Sequence, residues 1–166
     1  MVKEELDILK IVAENPLTSQ RMIAEKTGIS LGQVNFLMKK CVKKGLIKIE
    51  GQTPKSLRYN LTPKGMAEKA ERTLQYIKVS YAAVKKLSSR ISELGRMYRD
   101  RGHSIYLVGK QDEMMEICIL ALNDTHIGYE VGIPADNVKN AVLFYWEPKM
   151  VDQYGSYTCV NILDKD

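Results

Sequence analysis

The sequence predicts an α+β protein in three parts: a helical unit that ends in a β-hairpin, one long helix, and a small α/β unit. The boundaries are predicted at residues 1–62, 63–101 and 104–166. Up to residue 45 apolar residues recur every three or four positions, and they then alternate with polar ones, which indicates short helices followed by strands. From residue 63 to residue 101 no strong helix breaker occurs, and apolar residues recur every seven positions, which is typical of a coiled-coil-like helix.

The charge of the chain is unevenly distributed. Residues 1–65 contain 12 Lys and Arg against 6 Asp and Glu, residues 66–103 contain 9 against 4, and residues 104–166 contain 4 against 10. A basic two-thirds is therefore joined to an acidic last third. We expect only the first part to meet a polyanion.

The composition excludes several classes of protein. With 45% hydrophobic and 27% charged residues the chain is of the globular type. No apolar run approaches the ~18 residues of a membrane span, and the first residues have no apolar signal core. The cysteines Cys41, Cys118 and Cys159 are not spaced as metal ligands or disulfides. We therefore expect a cytoplasmic protein without a membrane partner or a metal.

Two short helices are predicted before residue 28. The first lies within residues 2–14 and ends at Asn15-Pro16, because proline cannot continue a helix. Thr18 or Ser19 caps the second helix, and Gly28 ends it. The core side of this second helix is predicted to use Met22, Ile23 and Ala24.

A third helix and a hairpin follow. Ser30 caps the helix and Gly45 ends it. Residues 46–50 and 57–61 then read as two half-buried strands around a polar tip. Helix, turn, helix and hairpin in this order indicate a helix-turn-helix with a β-wing. The core side of the third helix is predicted from the spacing of Val34, Leu37, Met38 and Cys41.

The third helix, residues 30–45, carries side chains that suit the major groove of DNA. Gln33 and Asn35 lie in its first two turns, and each can form two hydrogen bonds with an adenine. Phe36 either contacts a thymine methyl group or packs on the wing, and both interpretations stay open. The helix is therefore predicted to read base edges.

Cations and hydroxyls on neighbouring elements suit the phosphates. The lysines of the third helix could form a solvated face. Cations on three adjacent elements, however, favour phosphate contact. Besides the base-reading residues, the predicted DNA contacts are Thr18, Ser19, Arg21, Ser30, Lys39, Lys40, Lys43, Lys55 and Arg58.

Two linked segments, GISLGQVNFLMKKCVKKGLIKIE and LTPKGMAEKAERTLQYI, resemble the winged-helix domain of MarR-type transcriptional regulators, in particular their exopolysaccharide-associated branch. The likeness covers about residues 4–87. It implies a DNA-binding regulator that dimerises through helices outside the DNA-reading part, and it carries the DNA-contact role to Ser30, Gln33, Asn35 and Phe36. The chain departs from the family in its short wing and in the acidic α/β unit after the long helix.

The long helix predicts a dimer interface. Ile77, Val84 and Ile91 recur every seven residues, as in a coiled-coil seam. Ser88-Ser89 and Gly95 weaken the helix, so that a bend or break could occur there. The predicted seam consists of Leu74, Ile77, Tyr81, Val84, Leu87, Ile91 and Leu94.

The last third predicts the element order β-α-β-β-β. Its opening, IYLVGKQDEMMEICILAL, resembles a Rossmann-like nucleotide-binding domain, yet only Gly109 of the glycine fingerprint is present. A nucleotide site and a purely structural unit both stay open. His103 and His126 lie outside any catalytic motif, so we expect no catalytic residue, no enzyme activity and no cofactor. The buried side of the helix is predicted to use Met114, Met115, Ile117, Cys118, Leu120, Ala121 and Leu122.

These observations predict a homodimeric, sequence-specific DNA-binding transcriptional regulator. Helix 30–45 would read the major groove, and the wing, residues 46–61, would contact the flanking backbone. The expected partners are double-stranded DNA and a second copy of the chain. One alternative is a regulator that senses a small molecule or nucleotide, not identified by the sequence, through the C-terminal unit. Another is a winged-helix adaptor that binds protein.

Overall fold

The computed structural model describes residues 2–53, 56–135, 138–147, 154 and 157–164. The chain forms two compact units, Met1–Val79 and Ser80–Asp166, and the boundary between them lies within a helix. The division into 1–62, 63–101 and 104–166 stays a prediction. In chain order the elements are α1 (Val2–Glu14), α2 (Gln20–Thr27), α3 (Leu31–Lys43), β1 (Ile47–Glu50), β2 (Arg58–Leu61), α4 (Pro63–Asp100), β3 (Ser104–Leu107), α5 (Glu113–Asp124), β4 (Tyr129–Val131), β5 (Ala141–Tyr145) and β6 (Thr158–Asn161).

The first unit packs α1, α2 and α3 with the antiparallel hairpin β1–β2, in which Ile47 pairs with Leu61 and Glu50 with Arg58. This arrangement confirms the predicted winged helix-turn-helix. Gly28 ends α2 at a φ of 72°, a conformation that costs little only for glycine. The core consists of Ile8, Leu9, Ile11, Val12, Ile23, Val34, Leu37, Met38, Cys41, Leu46, Ile47 and Tyr59.

Two apolar residues of this unit lie outside the core, contrary to the sequence prediction. Met22 is exposed because α2 turns the face of Ile23 inward, and Met22 lies about 100° from Ile23 around the helix axis. Ile49 is also exposed, although apolar and polar residues alternate along its strand. Of the residues of β1 only Ile47 is buried, at the end of the strand where the hairpin meets the helices. Both side chains add apolar surface to this unit.

The second unit is built on a four-stranded sheet in the order β4-β3-β5-β6, with all neighbouring pairs parallel. One face of the sheet packs against α5 and residues 87–98 of α4, with Ile91, Leu107 and Phe144 at the centre of the core. On the other face Tyr106 and Leu143 are covered by Tyr157 and other residues of the connecting segments. The order β-α-β-β-β is therefore confirmed.

α4 is a continuous helix from Pro63 to Asp100, so the helix has no break at Ser88-Ser89 or Gly95. A Cβ at Gly95 would lie 2.7 Å from Leu122 Cδ2 and 3.0 Å from Ile127 Cδ1. Ser92 Oγ donates a hydrogen bond to the Ala121 carbonyl at 3.0 Å. Gly95 is therefore a position of close helix packing against α5 and its following turn.

The predicted dimer seam divides into two groups. Leu74, Ile77, Tyr81 and Val84 are exposed, as an interface with a second copy requires. Ile91 is fully buried, and Leu87 and Leu94 pack against the same core within the second unit. The assignment of Ile91 to dimerisation is wrong, because its apolar surface is already covered by α5 and the sheet, whereas that of the half-buried Leu87 and Leu94 stays a prediction.

Leu120 is a further correction, since it is exposed although it was predicted to be buried. The residues of α5 that face the sheet are Met115, Cys118, Ala121 and Leu122. Leu120 lies two positions after Cys118, about 200° away around the helix axis, and therefore points outward. Met114 and Ile117 are partly buried at the edge of the core.

The cysteines are free thiols, and Cys41 and Cys118 are buried. Burial, reinforced by the charge of Asp112, raises the pKa of Cys118 to about 12, so its reactive thiolate is scarce near neutral pH. Within the described ranges no cluster of three or more His, Cys, Asp or Glu could hold a metal ion. None of the helices in the same ranges is long and apolar enough to cross a membrane.

Candidate nucleic-acid interface

The orientation of α3 is fixed by its cap and its buried face. Ser30 Oγ accepts a hydrogen bond from the Gln33 N–H at 3.2 Å, which satisfies one of the free donors at the helix start. Val34, Leu37, Met38 and Cys41 are buried, as predicted from their spacing. Because these four residues hold one face of the helix in the core, the opposite face must point outward.

The outward face of α3 carries amides, one aromatic ring and lysines. Gln33, Asn35, Lys39 and Lys43 are all exposed. Phe36 is 61% exposed and lies outside the core of the unit. An exposed ring of this size is an apolar contact surface. Amide, apolar and cationic groups are thus presented together on a rigid helix.

Lys40 is placed differently from the other lysines. Its Nζ lies 2.5 Å from Glu5 Oε1, and its side chain is 34% exposed. Lys44 Nζ lies 3.5 Å from the second Glu5 oxygen, and Arg72 Nη1 donates a hydrogen bond to that same oxygen at 2.8 Å. Arg72 is also paired with Glu68 one turn earlier on α4. Lys40, predicted as a phosphate contact, is therefore held by an internal carboxylate.

The Glu5 carboxylate is the centre of this ion cluster, and its side chain is only 4% exposed. Burial opposes its ionisation, but hydrogen bonds from Lys40 and Arg72 and the nearby charge of Lys44 outweigh burial and lower the pKa of Glu5. Glu5 is thus a carboxylate that stays charged inside the unit.

Glu5 was missed by the sequence analysis, although one signal was present. It lies three, four and seven positions before Ile8, Leu9 and Val12, so it falls on the apolar face of α1. A carboxylate on such a face needs buried cations as partners. Those partners come from α3 and α4, far along the chain, and the spacing within α1 does not identify them.

The three predicted hydroxyl contacts differ in their accessibility. Ser19 Oγ accepts a hydrogen bond from the Met22 N–H, as Ser30 Oγ does from Gln33, and both serines are exposed. Their O–H groups can still donate outward to a phosphate oxygen. Thr18 Oγ1 is buried, so the predicted phosphate contact of Thr18 is wrong.

The remaining predicted cations are Arg21 on α2, Arg58 on β2 and Lys55 at the wing tip. Arg21 and Arg58 are exposed. Arg58 faces Glu50 across the hairpin, and its charge helps to lower the pKa of that carboxyl, after the larger effect of Lys48. Lys55 lies outside the described residues. The wing therefore contributes Arg58 to the exposed basic surface.

The glycine turn of the second unit is filled by protein. A side chain at position 109 would clash with the indole ring of Trp146, which is buried. Lys110 Nζ forms an ion pair with Glu147 at 2.9 Å just beside it. Gly109 is therefore explained by the packing of Trp146, and the turn lacks the open backbone that a pyrophosphate needs.

Comparison with known proteins decides the nature of the first unit. Residues 5–48 match the family model described as "Winged helix-turn-helix DNA-binding". The matched residues are thus similar to that family, and the structure gives them the winged helix-turn-helix fold. No curated protein matches the chain.

Solved structures with a similar fold include two MarR family proteins. One is a Mycobacterium tuberculosis protein in complex with p-aminosalicylic acid, at 19% identity over 60% of this chain and 77% of that one, with a TM-score of 0.45. The other is Staphylococcus aureus MarR in complex with salicylate and kanamycin, at 22% identity over 74% of this chain and 69% of that one, with a TM-score of 0.46.

Proposed function

We propose that the protein is a homodimeric, sequence-specific transcriptional regulator that acts on double-stranded DNA in the cytoplasm. The observation that carries this proposal is the outward face of α3, where Gln33, Asn35, Phe36, Lys39 and Lys43 are exposed while the opposite face is locked in the core. A helix-turn-helix of this kind inserts its second helix into the major groove.

Base reading is assigned to the first two turns of α3. The amides of Gln33 and Asn35 each offer a donor and an acceptor that match the major-groove edge of adenine. The ring of Phe36 suits the methyl group of a thymine. One well-formed pair of hydrogen bonds contributes about 1–3 kcal/mol of discrimination against the wrong base.

Phosphate contact is assigned to the exposed cations and hydroxyls around this helix. Lys39 and Lys43 follow Phe36 by three and seven positions, so they lie on the same face of α3. Arg21 and Arg58 extend the basic surface to α2 and the wing. Ser19 and Ser30 add hydroxyl donors at two helix starts.

Dimerisation is assigned to the exposed part of the α4 seam. Leu74, Ile77, Tyr81 and Val84 recur at spacings of three and four and leave apolar area in water. A second copy would cover this area. A two-fold dimer would then present two α3 helices to a pseudo-palindromic site.

A salt series with two DNA duplexes tests the proposal. One duplex is selected by the protein from a random library, the other is unselected, and binding is followed by fluorescence anisotropy. We expect affinity to fall steeply with salt, since cations that contact phosphates release counterions. Absence of duplex binding at low salt, or binding without salt dependence, would contradict the proposal. Protein partners retained at a salt concentration that abolishes DNA binding would favour the adaptor alternative.

Two variants separate base reading from phosphate contact. Gln33→Ala should weaken binding to the selected duplex by about 5- to 150-fold and leave the unselected duplex unchanged. Lys39→Ala should weaken both duplexes alike and reduce the salt slope by about 0.9 per subunit. Lys139→Ala removes an exposed cation from the acidic unit and is the control that should change neither.

The sensor alternative is favoured by a groove in the second unit. The groove has a volume of about 760 Å³ and is walled by Leu87, Leu94, Met97, Met114 and Ile117. Flexible methionines in an apolar wall accommodate ligands of varied shape. A thermal-shift screen with nucleotides, sugars and aromatic acids tests it, since a ligand at 100 times its Kd adds ~2.7 kcal/mol. Ala83→Trp should block a true groove ligand, whereas Ala82→Trp, which lies outside the groove, should not.

A further inference from the structure

The ion cluster around Glu5 joins the DNA-reading helix to two other helices of the first unit. Glu5 lies in α1, Lys40 in α3 and Arg72 in α4. Lys44 is the residue that caps the C-terminal end of α3. Arg72 is held from the other side by Glu68, through its Nη2 at 2.6 Å and its Nε at 2.7 Å. The carboxylate is thus oriented by α4: its Oε2 accepts the hydrogen bond from Arg72 and lies 3.5 Å from Lys44 Nζ, and its Oε1 pairs with Lys40.

Lys40 belongs by position to the surface that would meet DNA. It follows Phe36 by four positions and precedes Lys43 by three, so it lies next to both on the helix surface. Lys44 follows Lys40 by four. Without Glu5, their flexible side chains would be free to turn toward phosphates beside those of Lys39 and Lys43.

We propose that Glu5 is a positioning residue that withholds Lys40 and Lys44 from DNA phosphates and so limits sequence-independent binding. The inference rests on the proposed DNA-binding function. Phosphate contacts raise affinity for every duplex, whereas base contacts by Gln33 and Asn35 raise it for one sequence. A carboxylate that occupies two cations therefore lowers the affinity for random DNA and leaves every base contact in place.

A purely structural role for Glu5 predicts a different outcome. If Glu5 only anchors α3 to α1 and α4, its loss loosens the helix, weakens binding to both duplexes and leaves the number of phosphate contacts unchanged. The salt slope separates the two roles, because it counts phosphates neutralised at about 0.9 each and does not depend on how well the helix is anchored.

The test compares salt slopes of the full chain and of Glu5→Gln on an unselected duplex. We expect Glu5→Gln to bind that duplex more tightly at low salt, with a slope steeper by about 0.9 per subunit for one released lysine or about 1.8 for two. The selected duplex should be bound more tightly by the same factor, because a released lysine contacts phosphates of either duplex alike. Glu14→Gln removes the same charge from an exposed position of α1 and corrects for net charge alone.

A second variant keeps the test decisive if Glu5→Gln does not fold. Lys40→Gln in the otherwise unchanged chain should leave the slope as it is, because Lys40 is already engaged by Glu5. Where Glu5→Gln does fold, the same change added to it should reduce the slope by about 0.9 per subunit. A lower slope for Lys40→Gln alone, or an unchanged slope for Glu5→Gln, overturns the inference while leaving the proposed function standing. Failure of the unchanged chain to bind any duplex would instead remove the proposed function.

Discussion

The predicted dimer seam forms an apolar stripe along α4. The two parts of this stripe share one sequence pattern but have different surroundings. Ile77, Val84 and Ile91 are spaced by seven residues along one continuous helix. In the structure, Ile77 and Val84 are exposed, whereas Ile91 is fully buried under α5 and the sheet. Heptad spacing therefore identifies an apolar stripe on a helix, and it does not identify what covers the stripe.

The lysines of α3 show the same division on a smaller scale. Lys39 and Lys43 point outward, while Lys40 between them is held by Glu5. In each case residues of the same chemical character on one helix have different surroundings, some held within the unit and others exposed at its surface. The difference depends on contacts from distant parts of the chain.

The largest expected effect comes from truncating the buried part of the stripe. Ile91→Ala should lower the free energy of unfolding of the second unit by about 2–5 kcal/mol, because it leaves a cavity in the core. Tyr81→Ala, at a position 68% exposed, should change it by less than about 0.5 kcal/mol at protein concentrations too low for dimerisation. Urea unfolding followed by fluorescence of the single, buried Trp146 measures both. Equal losses of unfolding free energy in the two variants would contradict the division of the stripe into a buried and an exposed part.

Replacing two helical glycines by alanine should change stability in opposite directions. Gly95→Ala should destabilise the second unit by about 1–3 kcal/mol, since its Cβ would meet Leu122 Cδ2 at 2.7 Å. Gly32→Ala, where no atom lies within 4 Å of the added Cβ, should stabilise α3 by about 0.4–1 kcal/mol. Trp146 fluorescence reports the first change and amide exchange within α3 the second. A stabilising Gly95→Ala would show that α5 does not approach α4 this closely.

A charge in the exposed part of the stripe should act on assembly alone. Ile77→Asp should weaken dimerisation at least tenfold, about 1.4 kcal/mol, because it would bury a carboxylate in the seam. Gln75→Asp adds the same charge at an exposed position outside the seam. Sedimentation equilibrium measures both dissociation constants. If the two variants dimerise equally well, the seam is not the interface.

The smallest expected effect is a pH dependence of the first unit. The pKa of Glu5 lies below its ordinary value of 4.5 in the folded chain, so its ion pairs stabilise the fold above that pH. This contribution is lost as the pH falls through the lowered pKa. Relative to the unchanged chain, Glu5→Gln should therefore be less stable at pH 7, and the deficit should shrink below pH 4.5. Amide exchange in α1 and α3 between pH 7 and pH 3 measures it, and a deficit independent of pH would contradict the lowered pKa.

Features that depend on local chemistry were predictable from the sequence. The caps at Ser19, Gly28 and Ser30 follow from hydrogen bonds or backbone angles within four residues. The buried face of α3 follows from the 3.6-residue period of a helix. The order of strands and helices in both units follows in the same way.

Features that depend on distant partners were not predictable. Arg72 reaches Glu5 across 67 positions of the chain, so neither the burial of Glu5 nor the engagement of Lys40 could be read from nearby residues. Gly109 matched a nucleotide-binding fingerprint in part, but its reason is the ring of Trp146. Thr18 was predicted to be accessible and Leu120 to be buried, and both predictions were wrong. The residue type alone does not determine which way a side chain points.

The most direct test of DNA recognition by α3 is photocrosslinking at two positions of equal exposure. Phe36 and Leu120 are each 61% exposed, the first on α3 and the second on α5. A photoreactive phenylalanine analogue at either position is irradiated with a labelled selected duplex. We expect crosslinks to DNA from position 36 and none above background from position 120. Equal yields from the two positions, or none from position 36 while the duplex is bound, would contradict recognition of DNA by the outward face of α3.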